Sequence, residues 1–146
     1  MKITEVTDKK RYMHLLLLAD EQENMIFKYL DKGTMFVVED NGVKGEILVC
    51  DIGNGILEIK NLAVISACRN MGYGKKLIKF ICEKYKNVFS VLQVGTGDSP
   101  LTVPFYEKCG FKRSHVVKNF FTDNYDHPII ECGKQLDDMI YLRKNI

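Results

Sequence analysis

The chain has no polybasic tail or stripe: its net charge is only +2 and its basic residues are spread along 146 positions, which removes the electrostatic footprint of a nucleic-acid binder. It has no long hydrophobic run. The longest, Leu15 to Ala19, is far short of the roughly 20 residues that span a bilayer. The opening MKITEVTDKK lacks an apolar signal core. The expectation is a soluble, cytoplasmic protein with no membrane and no nucleic-acid partner. It also has no CxxC pair: the five cysteines, Cys50, Cys68, Cys82, Cys109 and Cys132, are an odd set with no histidine at zinc-ligand spacing. That argues against both a disulfide framework and a metal site. There is no internal repeat and no low-complexity segment.

What is present is 46% apolar composition, enough for one buried core, so residues 1–146 read as a single domain. KITEV reads as a first strand, and Asp8 to Leu30 carries helical spacing broken near DEQEN, giving two helices with Gly33 ending the second. TMFVVED, VKGEILVCDI and GILEIKNLAV are separated by NG and GNG, the signal for tight hairpins and hence for a three-stranded meander. Leu77, Ile78, Ile81, Cys82 and Tyr85 share one face of a helix. VFSVLQVG reads as a buried strand, PFYEKC as a short helix closed by Gly110, FKRSHVVKNFF and DDMIYLR as strands, and Thr122 to Gly133 as a long irregular loop. The order β-α-α-β-β-β-α-β-α-β-β, with one crossover between residues 56 and 97, predicts an α+β fold: a mixed, mostly antiparallel sheet flanked by helices.

The stretch SACRNMGYGKKLI, residues 66 to 78, is anomalous for the start of a helix. Helix N-termini carry free N–H groups and partial positive charge, so acids usually sit there. From Arg69 to Lys76 there is no acid, while Arg69, Lys75 and Lys76 add cations. A bound anion resolves this, with glycines admitting it to the main chain and N–H groups donating to it. A P-loop is excluded because Lys76 stands where Ser or Thr is required, and a Rossmann fingerprint because position 77 is Leu instead of a third glycine. What remains is R-x-x-G-x-G between a strand and an amphipathic helix.

That pattern, LEIKNLAVISACRNMGYGKKLIKFI followed by FYEKCGF, resembles the GNAT superfamily of N-acetyltransferases, which move an acetyl group from acetyl-CoA to an amine. The resemblance covers nearly the whole chain in element order and is specific from about Gly55 to Phe111; the closing YDHPIIECGKQLDDMIYL looks like a subgroup of small bacterial members. It implies that Arg69, Asn70, Met71, Gly72, Tyr73 and Gly74 bind the CoA pyrophosphate, with Lys75 as an added contact. It further implies that Leu62, Ala63 and Val64 offer main-chain groups to the pantetheine arm. It implies acetyl-CoA as cosubstrate, no metal, an amine acceptor, and a homodimer as one available assembly.

Acetyl transfer needs a neutral amine, and an alkyl amine with pKa about 10.4 is almost wholly protonated at pH 7. It also needs a proton for the departing thiolate. By the resemblance Tyr106 is the general acid, and Glu58, fourteen residues before Gly72, the base, acting through water. The chain departs from the family pattern before Tyr106: Ser99 and Thr102 replace an Asn and a small residue, and Pro100 and Pro104 intervene, so the helix is expected to start near Thr102 or Val103. Ser99 is kept as a CoA contact. His14, His115 and His127 are scattered, and Cys109 has no His and Asp around it. Phe120, Phe121 and Tyr125 either line a substrate pocket or pack the sheet. Acidic clusters at Asp20 to Glu23, Asp123 to Asp126 and Asp137 to Asp138 suit a cationic acceptor. Two other readings stand beside the enzyme: a non-catalytic acyl-CoA-binding sensor or regulatory domain, and a nucleotide-phosphate-binding protein.

Overall fold

The computed structural model describes all 146 residues. Strand β1 (Lys2–Val6) leads through a 3₁₀ turn into helices α1 (Met13–Ala19) and α2 (Glu23–Phe27). The meander follows: β2 (Thr34–Glu39), β3 (Val43–Asp51) and β4 (Ile56–Val64), then helix α3 (Tyr73–Tyr85) and β5 (Val91–Gly97). Helix α4 (Val103–Lys108), β6 (Lys112–Val117), α5 (Phe120–Asn124), a small hairpin β7 (Ile130–Glu131) and β8 (Lys134–Gln135), and β9 (Met139–Asn145) complete the chain. The main sheet runs β1-β2-β3-β4-β5-β9-β6. Every neighbour pair in it is antiparallel except β4 and β5, the pair joined by the α3 crossover.

The VKGEILVCD run is buried on both faces because helices cover both. Phe36, Ile47, Val49, Leu57 and Ile59 point to one side, where Leu77, Ile78 and Ile81 of α3 seal the larger core. Met35, Leu48 and Cys50 point to the other, against Leu16, Ile26 and Leu30. Each large apolar side chain here adds about 1.5–3 kcal/mol by leaving water.

Three local expectations are corrected. Helix α2 stops at Phe27, so Gly33 does not end it; a Cβ at Gly33 would run into Leu48, and the glycine is there to let the chain pass the sheet. The strand of FKRSHVVKNFF ends at Val117, because Asn119 turns to φ +58° and starts α5. The segment from Thr122 to Gly133 is partly ordered by α5 and by β7, which turns into β8 through Cys132 and Gly133, both at positive φ.

Candidate active site

The site begins with a defect in the sheet. Between Leu48 and Val49 the partner on β4 jumps from Asn61 to Ile59, so Lys60 is an extra, bulged residue that bends β4. The parallel pairing with β5 accordingly ends at Ile59 and Val94, after which β4 follows β3 and β5 follows β9. The two central strands splay apart. The Ile65 N–H donates to the Lys44 carbonyl at 2.9 Å, and in an antiparallel ladder alternate residues face the partner strand. Ala63 therefore turns its peptide groups to β3, while Leu62 and Val64 turn theirs into the gap.

At the wide end of the gap stands the α3 N-terminus. Gly72 takes φ +87° as its N-cap with no side-chain cap, and the first turn holds no acid. The first helical bond is Lys76 N–H to Gly72 C=O at 3.0 Å, and none of the consecutive amides from Asn70 to Lys75 donates to a protein acceptor. Asn70 also has positive φ, and Arg69, Asn70, Met71 and Gly72 are exposed. Arg69, Lys75 and Lys76 enter no ion pair. Tyr73 is different: it is buried, and its hydroxyl donates to Asp40 at 2.8 Å, tying the helix start to the β2–β3 turn. Gly74 lets α4 approach, since a Cβ there would lie 3.1 Å from the Phe105 ring. The loop is an open nest of N–H donors ringed by cations, the arrangement that binds a phosphate.

Helix α4 begins at Val103 with Pro104 in its first turn, where a missing N–H costs nothing. Tyr106 is 8% exposed, edge-on to Phe105 and Phe111 at centroid distances of 5.1 and 5.6 Å. Burial, with smaller contributions from Cys109 and Glu46, pushes its phenol upward, so it stays protonated at neutral pH. Ser99 is buried, and its hydroxyl accepts the Leu101 N–H at 3.2 Å while its carbonyl accepts from Thr102 and Val103; the residue builds the turn that launches α4.

On the α1–α2 face lies a cleft of about 410 Å³ whose walls include Asp20, Tyr29, Glu58, Tyr125 and Tyr141. Glu58 is buried and fully engaged: one oxygen accepts from Gln93, which Arg143 holds at 2.7 Å, and the other pairs with Lys60. Asp20 accepts the Tyr29 hydroxyl at 3.1 Å and the Tyr125 hydroxyl at 2.6 Å. Burial raises its carboxyl above the usual range, and the two phenols offset part of that. Phe120 and Tyr125 both line the cleft and pack against the cluster of Phe121, Ile129 and Leu136, to which Phe121 itself belongs. Two groups were not singled out from the sequence. Asp20 was legible only as part of an acidic cluster. Glu46, at an inward position of β3, is wholly buried with both oxygens unpartnered. Burial holds its carboxyl well above the carboxylate range; the nearby Ala63 amide, outside hydrogen-bond geometry, offsets this in part.

Residues 31–113 match the model of the acetyltransferase (GNAT) domain. The chain belongs to the GNAT superfamily of N-acetyltransferases. It is 31% identical over 145 residues to the uncharacterized N-acetyltransferase YvbK of Bacillus subtilis strain 168, covering 97% of this chain and 93% of that one. A GNAT family acetyltransferase from Elizabethkingia anophelis, solved with acetyl-CoA bound, superposes with TM-score 0.93 at 35% identity, over 99% of this chain and 97% of the other. The IAA acetyltransferase of Bacillus cereus ATCC 14579 superposes equally well, TM-score 0.93 at 33% identity over 99% of both chains. The fold is the expected α+β arrangement of this superfamily, and the enzyme class is acetyl-CoA-dependent N-acetyltransferase. No group of His, Cys, Asp and Glu is placed to hold a metal ion, and no helix is long and apolar enough to cross a membrane.

Proposed function

We propose that this chain transfers the acetyl group of acetyl-CoA to a primary amine bound in the cleft beside Glu58, by direct attack of the amine on the thioester. The observation that carries it is the run of unpartnered amides from Asn70 to Lys75 at the mouth of the splay. Those donors, with Arg69 and Lys75, fit a pyrophosphate, and the free peptide groups of Leu62 and Val64, with Ala63 between them, fit the amides of the pantetheine arm. The family resemblance assigns the thioester at the end of such an arm to Tyr106.

The Tyr106 phenol, kept neutral by burial and free of any protein hydrogen-bond partner, donates its proton to the leaving thiolate, whose affinity resembles that of a cysteine with pKa about 8.5. Glu58, with both oxygens engaged, works through water: it orders the molecule that receives the amine's proton. Ser99 supports the site by fixing the start of α4. The acceptor is a basic amine that enters between the Tyr29, Tyr125 and Tyr141 rings, with Asp20 and Asp51 as the wall carboxylates that pair with no lysine; Lys28, Lys32 and Lys60 share the cleft. The compartment that fits is the cytoplasm, where acetyl-CoA is made and where five free cysteines stay reduced.

The test is thiol release from acetyl-CoA against a panel of polyamines, aminoglycosides, amino acids and lysine peptides, with CoA thermal-shift titration on the same sample. Turnover with one amine class is expected. Absence of any CoA stabilisation refutes the cofactor site.

A further inference from the structure

Three carboxylates line the cleft: Asp51, which is exposed and accepts the Gly53 N–H at 2.8 Å, Glu58 and Asp20. Glu58 has one oxygen on Gln93 and the other on Lys60, and a carboxylate already paired with an ammonium is a poor proton acceptor. Asp20 pairs with no cation. It is held in one orientation from two sides, by Tyr29 just beyond α2 and by Tyr125 at the end of α5. Tyr29 is itself fixed by the Asn61 amide at 3.0 Å, and Asn61 is anchored to the Leu16 carbonyl at 3.0 Å. Its two phenol donors are neutral, whereas Glu58 accepts from an ammonium; that difference in partner charge, and not the number of donors, leaves Asp20 the better proton acceptor.

We propose that Asp20 is the residue on which the acceptor's proton comes to rest, so that it is the terminal base of the acetyl transfer and the group that selects strongly basic alkyl amines. This deepens the reading above and rests on it. One proton of the alkylammonium passes, through the water ordered by Glu58, to an Asp20 oxygen and leaves a neutral amine. The nitrogen lone pair forms the C–N bond to the thioester carbonyl carbon while the C–S bond breaks, its electron pair staying on sulfur. Tyr106 gives its proton to that sulfur and is reprotonated by the second proton leaving nitrogen. Asp20 then returns its proton to solvent.

The surroundings suit the task. Burial raises the Asp20 carboxyl, the phenols and the Gln22 amide pull it back, and the neighbouring Glu21 adds to the rise. Lys28, Lys32, Lys60, Asp51 and Glu58 line the same cleft. A base whose affinity lies above that of an ordinary carboxylate is better matched to neutral pH. The sign follows: as pH falls through its raised value Asp20 becomes protonated and the rate is lost, so it produces the acidic limb of the pH profile.

The experiment compares kcat/KM against pH, from about 5 to about 9, for the wild type, Asp20→Asn and Tyr125→Phe, with the amine that the panel above turns over fastest and with a weakly basic analogue of that amine. Asp20→Asn keeps one oxygen for one phenol and presents its NH2 to the hydroxyl oxygen of the other, and unchanged thermal midpoints exclude misfolding. Asp20→Asn is expected to lose about 100-fold at pH 7, to lack the acidic limb, and to recover towards wild type as pH rises or when the weakly basic amine is used. Tyr125→Phe, short of one donor to the carboxylate, is expected to move the acidic limb to higher pH. An Asp20→Asn profile lowered equally at every pH and with both amines, or an unmoved limb in Tyr125→Phe, overturns the proposal and leaves the acetyl transfer standing. A wild type inactive with every amine overturns both.

Discussion

Replacing Glu46 by Gln isolates one proton. In the folded chain the carboxyl is wholly buried with neither oxygen partnered, and no cation is near enough to form an ion pair. Ionising it there would strip its hydration with only the nearby Ala63 amide as partial compensation. The folded protein therefore keeps it protonated at pH values where the unfolded chain, with an ordinary value of 4.5, has let the proton go. The folded state then binds one proton more than the unfolded state, and stability falls as pH rises, by about 1.36 kcal/mol per pH unit. This cost is absent below the ordinary carboxylate range and grows upward until the folded-state value is reached. Gln has nearly the same shape and no proton to lose. An unsatisfied amide costs about 1–3 kcal/mol, but that cost is the same at every pH, so the slope alone reports on Glu46. Urea unfolding at unit pH steps above 5 should show Glu46→Gln gaining on the wild type by about 1.4 kcal/mol per step, equivalent to about 3–6 °C in melting temperature at about 2–4 °C per kcal/mol. Parallel wild-type and variant curves would refute the claim that this carboxyl is buried without a partner.

Tyr106→Phe should lower kcat by about 100-fold or more while leaving CoA stabilisation intact, because only a proton donor is removed; stopped-time thiol release and thermal shift read the two effects, and loss of both would mean the phenol serves the fold instead. CoA at 100 times its Kd should stabilise the wild type by about 2.7 kcal/mol, seen as a rise of about 5–11 °C. Gly72→Ala meets no neighbouring atom but inherits φ +87°, a strain of about 1–2 kcal/mol. It should weaken CoA binding more than it lowers the melting temperature of the free protein, and an unchanged Kd would detach this turn from the cofactor. Leu77→Ala, at 0% exposure in the α3 seam, should cost about 2–5 kcal/mol in urea unfolding; a loss below about 1 kcal/mol would mean that seam is loosely packed.

Features that depend on neighbours along the chain are legible in the order of the amino acids. Alternation and NG turns set the meander, the apolar stripe set the seam of α3, and the conflict of cations with an uncapped helix start between Arg69 and Lys76 marked the run of free amides, because propensity, pattern and helix-end chemistry are all local. Pro104 placed the start of α4 for the same reason. Locality also explains the errors: Gly33 looks like a helix stop in sequence, whereas what requires it is Leu48, fifteen residues on. The candidate site instead depends on contacts between distant segments. The bulge at Lys60 is a mismatch between two strands, so neither strand announces it, yet it opens the gap between β4 and β5. Glu58 is legible as a strand carboxylate, but that Gln93 and Lys60 occupy it follows from pairing in the sheet. Asp20 meets Tyr125 across 105 residues, and Glu46 is isolated by packing on every side; burial and charge partnership are properties of three-dimensional surroundings, and they set which carboxyl keeps its proton.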